Sequence, residues 1–262
     1  MIKKFKNIKF SITIEGIARI ILNDPKTYNS LSLETINSLL AVFKMLNNDN
    51  KSRVIIIEGC GKGFSAGHNL KEIQLLKNRA SYKKLFTNCS KLMLEITNHK
   101  KPIIAKVHGA AFAAGCQLVA SCDLAYSSSD SLFATPGVNI GLFCSTPMVA
   151  LSRNVNKKQS MKMLLTGESI NASYAKGIGL INDFFPNKKL ENEVMKIASI
   201  IASKSNLVLK FGKGAFYKQL EMPLDKAYKY TSEVMANNMM TGDAKEGINA
   251  FIEKRLPVWK NK

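Results

Sequence analysis

The stretch that most constrains the fold is VHGAAFAAGCQL, from Val107 to Leu118. It follows a short apolar run, Ile103 to Val107, that reads as a buried strand, and it is built almost wholly of small residues. Small residues let a backbone come close to something else, either a packed neighbour or a ligand. From Gly115 onward, Cys116, Leu118, Val119, Ala120 and Cys122 form the buried face of an expected helix. A strand, a bend and a helix start would aim free backbone N–H groups at one point. Taken alone, the stretch reads first as close helix–sheet packing.

A second stretch has the same grammar. Gly63 to Leu70, GFSAGHNL, follows the strongest strand signal in the chain, Val54 to Ile57. Two such Gly-rich exits can supply one N–H each to a single oxygen, which is an oxyanion hole. Around them the pattern alternates. Phe10 to Ile14 and Ile17 to Leu22 read as a hairpin turning at Glu15-Gly16. Ser32 is placed to cap a helix carrying Leu33, Ile36, Leu39, Leu40, Phe43 and Leu46 at helical spacing. Val54 to Ile57 is apolar throughout, as a strand covered on both faces should be. Residues 71–79 and 82–98 read as helices, and 123–126 and 132–134 as short strands. Such alternation predicts an α/β fold with crossover connections. Beyond Met148 the strand signals stop, and helices are expected over 159–165, 172–176, 190–203, 207–220, 224–238 and 244–256.

At this point FSAGHNLKE (Phe64 to Glu72) and the run from His108 to Asp123 resemble the two signature segments of the crotonase (enoyl-CoA hydratase/isomerase) superfamily. The likeness runs from Ile17 to Trp259. AGCQLVASCD (Ala114 to Asp123) and FATPGVNIGLFCSTP (Phe133 to Pro147) resemble one narrower subgroup of it. The resemblance implies the crotonase (ClpP-like) spiral of ββα turns, with a core over residues 1–200 and a helical trimerisation region over 201–262. It also implies a homotrimer or dimer of trimers. The implied substrate is an acyl-CoA, with coenzyme A as part of the thioester and no prosthetic group.

Charge and cysteine content narrow the rest. The chain has 262 residues, enough for one large domain or a core with an appendage. Its net charge of +19 admits attraction of a polyanion such as coenzyme A. The lysines are dispersed and no aromatic-basic motif appears, so a Lys-rich compositional habit comes first and nucleic acid is not the expected partner. No apolar run is long enough for a membrane span. The basic start, Met1 to Lys6, lacks the apolar stretch of a secretion signal. Five cysteines without C-x-x-C spacing argue for a reducing compartment and against a zinc site, and a cytoplasmic location is expected.

By the family's pattern, the hole's donors are the backbone N–H groups of His68 and Ala114. The family's hydratases use two glutamates across the substrate. In the matching register these positions hold Gln117 and Gly137, and neither side chain can titrate. Ordinary hydration is therefore doubtful, and a double change to Glu at both positions is expected to raise it. Cys144, Ser145 and the His68 imidazole are the candidate substitutes, although Cys144 reads first as a buried structural thiol. His99 reads as a surface residue and His108 as structural. For coenzyme A, Lys26 matches the entry loop, Ala66 and Leu70 the adenine pocket, and Phe251 and Lys254 the C-terminal residues that reach the cofactor. A non-catalytic acyl-CoA-binding regulator is the alternative reading.

Overall fold

The computed structural model describes residues 5–262, so residues 1–4 of the basic start lie outside the described chain. The elements run β1 (Ile8–Ile12), β2 (Ile17–Leu22), α1 (Leu33–Asn47), β3 (Val54–Gly59), α2 (Leu70–Leu75), α3 (Arg79–Asn98), β4 (Ile103–Val107), β5 (Ala110–Phe112) and α4 (Ala114–Ser121). They continue with β6 (Leu124–Ser128), β7 (Leu132–Ala134), α5 (Pro147–Asn154), α6 (Lys157–Thr166), β8 (Ile170–Asn171), α7 (Ala172–Gly177) and β9 (Asp183–Phe185). Four helices close the chain: α8 (Asn187–Ala202), α9 (Asn206–Gln219), α10 (Leu224–Met239) and α11 (Gly242–Ile252).

One sheet has the order β1-β2-β3-β4-β6-β9, antiparallel at β1–β2 and parallel elsewhere. A small second sheet, β5-β7-β8, lies beside it. Every residue of β3 and β4 is buried, and period-two alternation sends them to two different cores. Ile55, Ile57, Ile103 and Ala105 join the main core with α1 and α3, where Leu39, Phe43, Leu92 and Ile96 are fully enclosed. Val54, Ile56 and Ile104 face the other way, against Leu190, Val194 and Ala198 of α8. The α8 face turns polar at the strand ends. There Glu58 pairs with Arg19 at 2.6 Å and also with Lys106, and Glu191 from α8 pairs with both cations. Ser32 caps α1, its hydroxyl accepting from the Thr35 N–H at 3.1 Å, as its position before the apolar run requires.

Three expectations need correction. Strands do occur beyond Met148: β8 and β9 are two and three residues long. Segments that short carry no periodicity, and only pairing with β7 and β6 makes them strands. The first strand ends at Ile12, leaving Ile14 fully exposed in the turn. His99 is not at the surface but 1% exposed. Its Nε2–H donates to the Phe43 carbonyl at 3.2 Å, and its Nδ1 accepts the Lys101 N–H at 3.1 Å. Burial drives its pKa down to about 4.

Candidate active site

The two Gly-rich exits meet backbone to backbone. Ser65 and Ala111 form a parallel bridge, and the Phe112 N–H donates to the Ser65 carbonyl at 2.9 Å. A Cβ on Gly115 would lie 2.3 Å from that same carbonyl oxygen. Gly67 has φ +89°, and a Cβ there would stand 2.8 Å from the Phe112 carbonyl and 3.1 Å from the Ala114 nitrogen. Only glycine permits this approach. Ala113, before α4, takes φ +47° and ψ −115°. That region costs a non-glycine residue on the order of 1–3 kcal/mol. The Ala113 N–H bond to the Ala134 carbonyl (2.9 Å) and the Gln117 N–H bond to the Ala113 carbonyl (3.0 Å) hold it there. The bend leaves the Ala114 N–H at the open start of α4. Among the described residues neither this N–H nor that of His68 donates to a protein acceptor. Two such donors at one crossing can polarise a carbonyl and stabilise an enolate oxygen.

The positions of the two acids are built differently. Gln117 lies one turn into α4, 4% exposed, with its Oε1 4.0 Å from the Cys89 Sγ of α3. Gly137 lies in a 3-10 turn, Pro136–Ile140. A Cβ there would meet the Leu142 carbonyl at 2.4 Å and the Cys144 Sγ at 2.9 Å. The thiol and the turn thus fill the space a side chain would need, and the expected gain from Glu at position 137 is withdrawn. Cys144 is 7% exposed, and burial raises its pKa despite a bond from the Gly137 N–H. Burial of this kind disfavours the thiolate and makes the sulfur a packing group. Ser145 is exposed, and its hydroxyl turns back to the Phe143 carbonyl at 3.4 Å.

The His68 side chain reaches from the crossing to α3. Its Nδ1 lies 3.1 Å from the Leu31 carbonyl, and its ring meets the Phe86 ring edge-on at 5.4 Å. Its Nε2 is buried without a partner. Burial, opposed by the Leu31 bond, lowers its pKa. His108 bonds the Gly61 carbonyl at 2.9 Å, in keeping with a structural role.

Lys26 is exposed on the 3-10 turn Pro25–Thr27. That turn is tied to the crossing, since the Ala66 N–H donates to the Tyr28 carbonyl and the Leu31 N–H to the Gly67 carbonyl. Lys26, Ala66 and the half-exposed Leu70 at the start of α2 thereby belong to one surface region. Asn29, which the sequence reading passed over, makes the tie. Its Nδ2 donates to the Cys60 and Gly63 carbonyls at 2.8 Å each, and its own carbonyl accepts from the Ser65 hydroxyl. It takes φ +54°, which asparagine tolerates better than most residues. The Asn29-Ser30 pair after Pro25 was the available signal. Phe251 and Lys254 stand apart: α11 packs on α9 and α10, and Phe251 is 85% exposed.

A family model described as enoyl-CoA hydratase/isomerase matches residues 13–262. The chain belongs to that family, and its fold is the crotonase fold. A solved structure of an enoyl-CoA hydratase from Mycobacterium smegmatis superposes with a TM-score of 0.95 at 43% identity, covering 97% of this chain and 98% of that one. The subgroup that the Ala114–Asp123 and Phe133–Pro147 stretches resemble is enoyl-CoA hydratase domain-containing protein 3. The human mitochondrial protein of that name is 48% identical over 95% of this chain and 82% of its own length. Its crystal structure matches with a TM-score of 0.94 at 47% identity, covering 97% of this chain and all of that one. The mitochondrial enoyl-CoA hydratase of Pongo abelii is 34% identical over 94% of this chain and 84% of its own. These names overturn the expected cytoplasmic location, because a reducing compartment inferred from unpaired cysteines does not single out the cytosol. No helix among the described residues is long and apolar enough to cross a membrane.

Proposed function

We propose that this chain is an acyl-CoA enzyme of the enoyl-CoA hydratase/isomerase type, acting in fatty-acid metabolism and, like its named relatives, in mitochondria. It binds a coenzyme A thioester and holds the carbonyl between the N–H groups of His68 and Ala114. One observation carries the reading: two free backbone donors meet at a crossing that only glycine at positions 67 and 115 allows. Lys26 meets the phosphates, and Ala66 and Leu70 line the adenine, with Phe251 and Lys254 supplied by a neighbouring subunit. The assembly is a homotrimer or dimer of trimers, supported by the apolar residues left exposed on α9 to α11.

The carboxylate pair of an ordinary hydratase is missing at Gln117 and Gly137, which favours a second reading, an acyl-CoA-binding regulator without turnover. Incubating the protein with acyl-, enoyl- and malonyl-type CoA thioesters and following products by mass separates the two. Turnover supports the enzyme, and tight binding without products supports the regulator. Failure to bind any thioester removes both.

A further inference from the structure

We propose that the His68 imidazole is the proton-transferring group of this site, with its Nε2 taking the proton that Gln117 and Gly137 have no means to take. This rests on the thioester-binding function proposed above. A carbonyl oxygen only accepts, so the Leu31 contact at 3.1 Å places the hydrogen of the neutral ring on Nδ1. Nε2 is left with a bare lone pair, and that lone pair is buried with no protein partner. A buried polar atom left unmatched is costly, and native chains keep few of them. The ring is fixed from two sides, by Leu31 and by the edge-on Phe86 ring.

Its position suits the task. Phe86 and Cys89 are three residues apart on α3 and share one face of that helix. His68 lies against the first and Gln117 against the second. The imidazole and the first acid position therefore lie over adjacent turns of the same wall. The residue whose N–H meets the substrate oxygen is also the residue whose ring holds the lone pair. Burial disfavours the imidazolium and so leaves the lone pair of the neutral ring free to accept a proton.

For an enoyl thioester the step balances without a co-reactant. The oxygen of a water molecule bonds to Cβ while Nε2 takes one of its protons. The electron pair of the double bond moves to the thioester oxygen, which accepts from the two N–H groups as an enolate. The Nε2–H then gives its proton to Cα, the thioester re-forms, and the imidazole returns to neutral.

The test is His68→Asn, whose side-chain amide can still donate to Leu31 and whose backbone N–H is untouched. Butyryl-CoA binding is measured by calorimetry, crotonyl-CoA hydration by loss of absorbance, and exchange of the butyryl-CoA α-protons in D2O by mass. The wild type is expected to bind, to hydrate and to exchange. The variant should bind within about twofold while both rates fall by about 10²-fold or more. A variant that keeps its rates overturns the assignment. So does a wild type that binds butyryl-CoA yet neither hydrates nor exchanges, and in that case thioester binding stands. A wild type that binds no thioester sinks the function proposed above instead. Should the variant not fold, the ¹⁵N signal of His68 Nε2 in the wild type decides: it should move when butyryl-CoA is added, and a fixed signal overturns the proposal.

Discussion

The first 200 residues and the last 60 use the same helical periodicity to opposite ends. In α1, Ile36, Leu39, Val42, Phe43 and Leu46 are all buried within the chain. Across α9, α10 and α11 only Ala227, Asp243 and Ala250 are. Phe216, Tyr228, Met235, Phe251 and Ile252 stand more than half exposed. An apolar stripe stabilises a helix only where something covers it. The C-terminal helices are instead held to the core by polar latches. Lys213 of α9 reaches the Asp123 carboxylate at 2.7 Å and the Ile96 and Lys101 carbonyls, and the Tyr217 hydroxyl donates to the same carboxylate at 2.9 Å. Within the C-terminal part, Asp243 accepts the N–H groups of Lys260 and Asn261 and draws the tail back. Core stability here is a matter of burial, whereas the C-terminal part depends on a few ion pairs and on its expected partners.

Trimming one aromatic in each region tests that contrast most strongly. Phe64→Ala should lower the unfolding free energy by about 3–5 kcal/mol, since Phe64 is fully enclosed. Phe251→Ala should change the stability of the dilute chain by less than about 0.5 kcal/mol. Equal costs in urea titration would break the comparison. Next comes the latch. Lys213→Met strands the Asp123 carboxylate in a largely buried setting and should cost about 3 kcal/mol, with proteolysis opening α9 to α11 before the core. Simultaneous loss of both parts would mean that the division is not one of stability.

Acid should act on the core side through His99. Its pKa is about 4 in the folded chain against an ordinary 6.5, because burial disfavours the cation and Lys101 and Lys213 repel it. Protonation would also take the Nδ1 lone pair from the Lys101 N–H. A depressed histidine pKa gives stability that is whole above pH 6.5 and is lost as pH falls toward 4, reaching about 2 kcal/mol by pH 5. Urea titrations of wild type and His99→Gln across that window should converge. A parallel pair of curves would assign the acid sensitivity elsewhere. The smallest effect on stability, about 0.5 kcal/mol or less, is expected from Phe216→Glu with Tyr228→Glu on the open face. Sedimentation should nonetheless show the proposed trimer falling to monomer in this variant, and an unchanged assembly would move the contact surface off α9 and α10.

Much of the architecture was legible because its causes are local. The apolar run at Val54, the cap at Ser32 and the spacing from Leu33 to Leu46 each specify an element without reference to distant residues, and all three form as read. The two Gly-rich exits were legible as places where the backbone comes close to something else, a packed neighbour or a ligand. Long-range packing decided the rest. Strands β8 and β9 exist only through their partners. His99 looks like a surface residue among lysines until α1 covers it. Gly137 looks like an open position until the Leu142 carbonyl and the Cys144 thiol are seen to fill it. The bonds of Asn29 and the unmatched His68 Nε2 follow from the packing of residues 28–31 against the crossing. Sequence alone determined the longer strands, most of the helices and where two strand exits are thinned to glycine and alanine, because those depend on each residue and its near neighbours, whereas α5, β8 and β9 escaped it. Which side chains share the site was decided by tertiary structure, because burial and unmet hydrogen bonds belong to pairs of residues that the chain brings together only on folding.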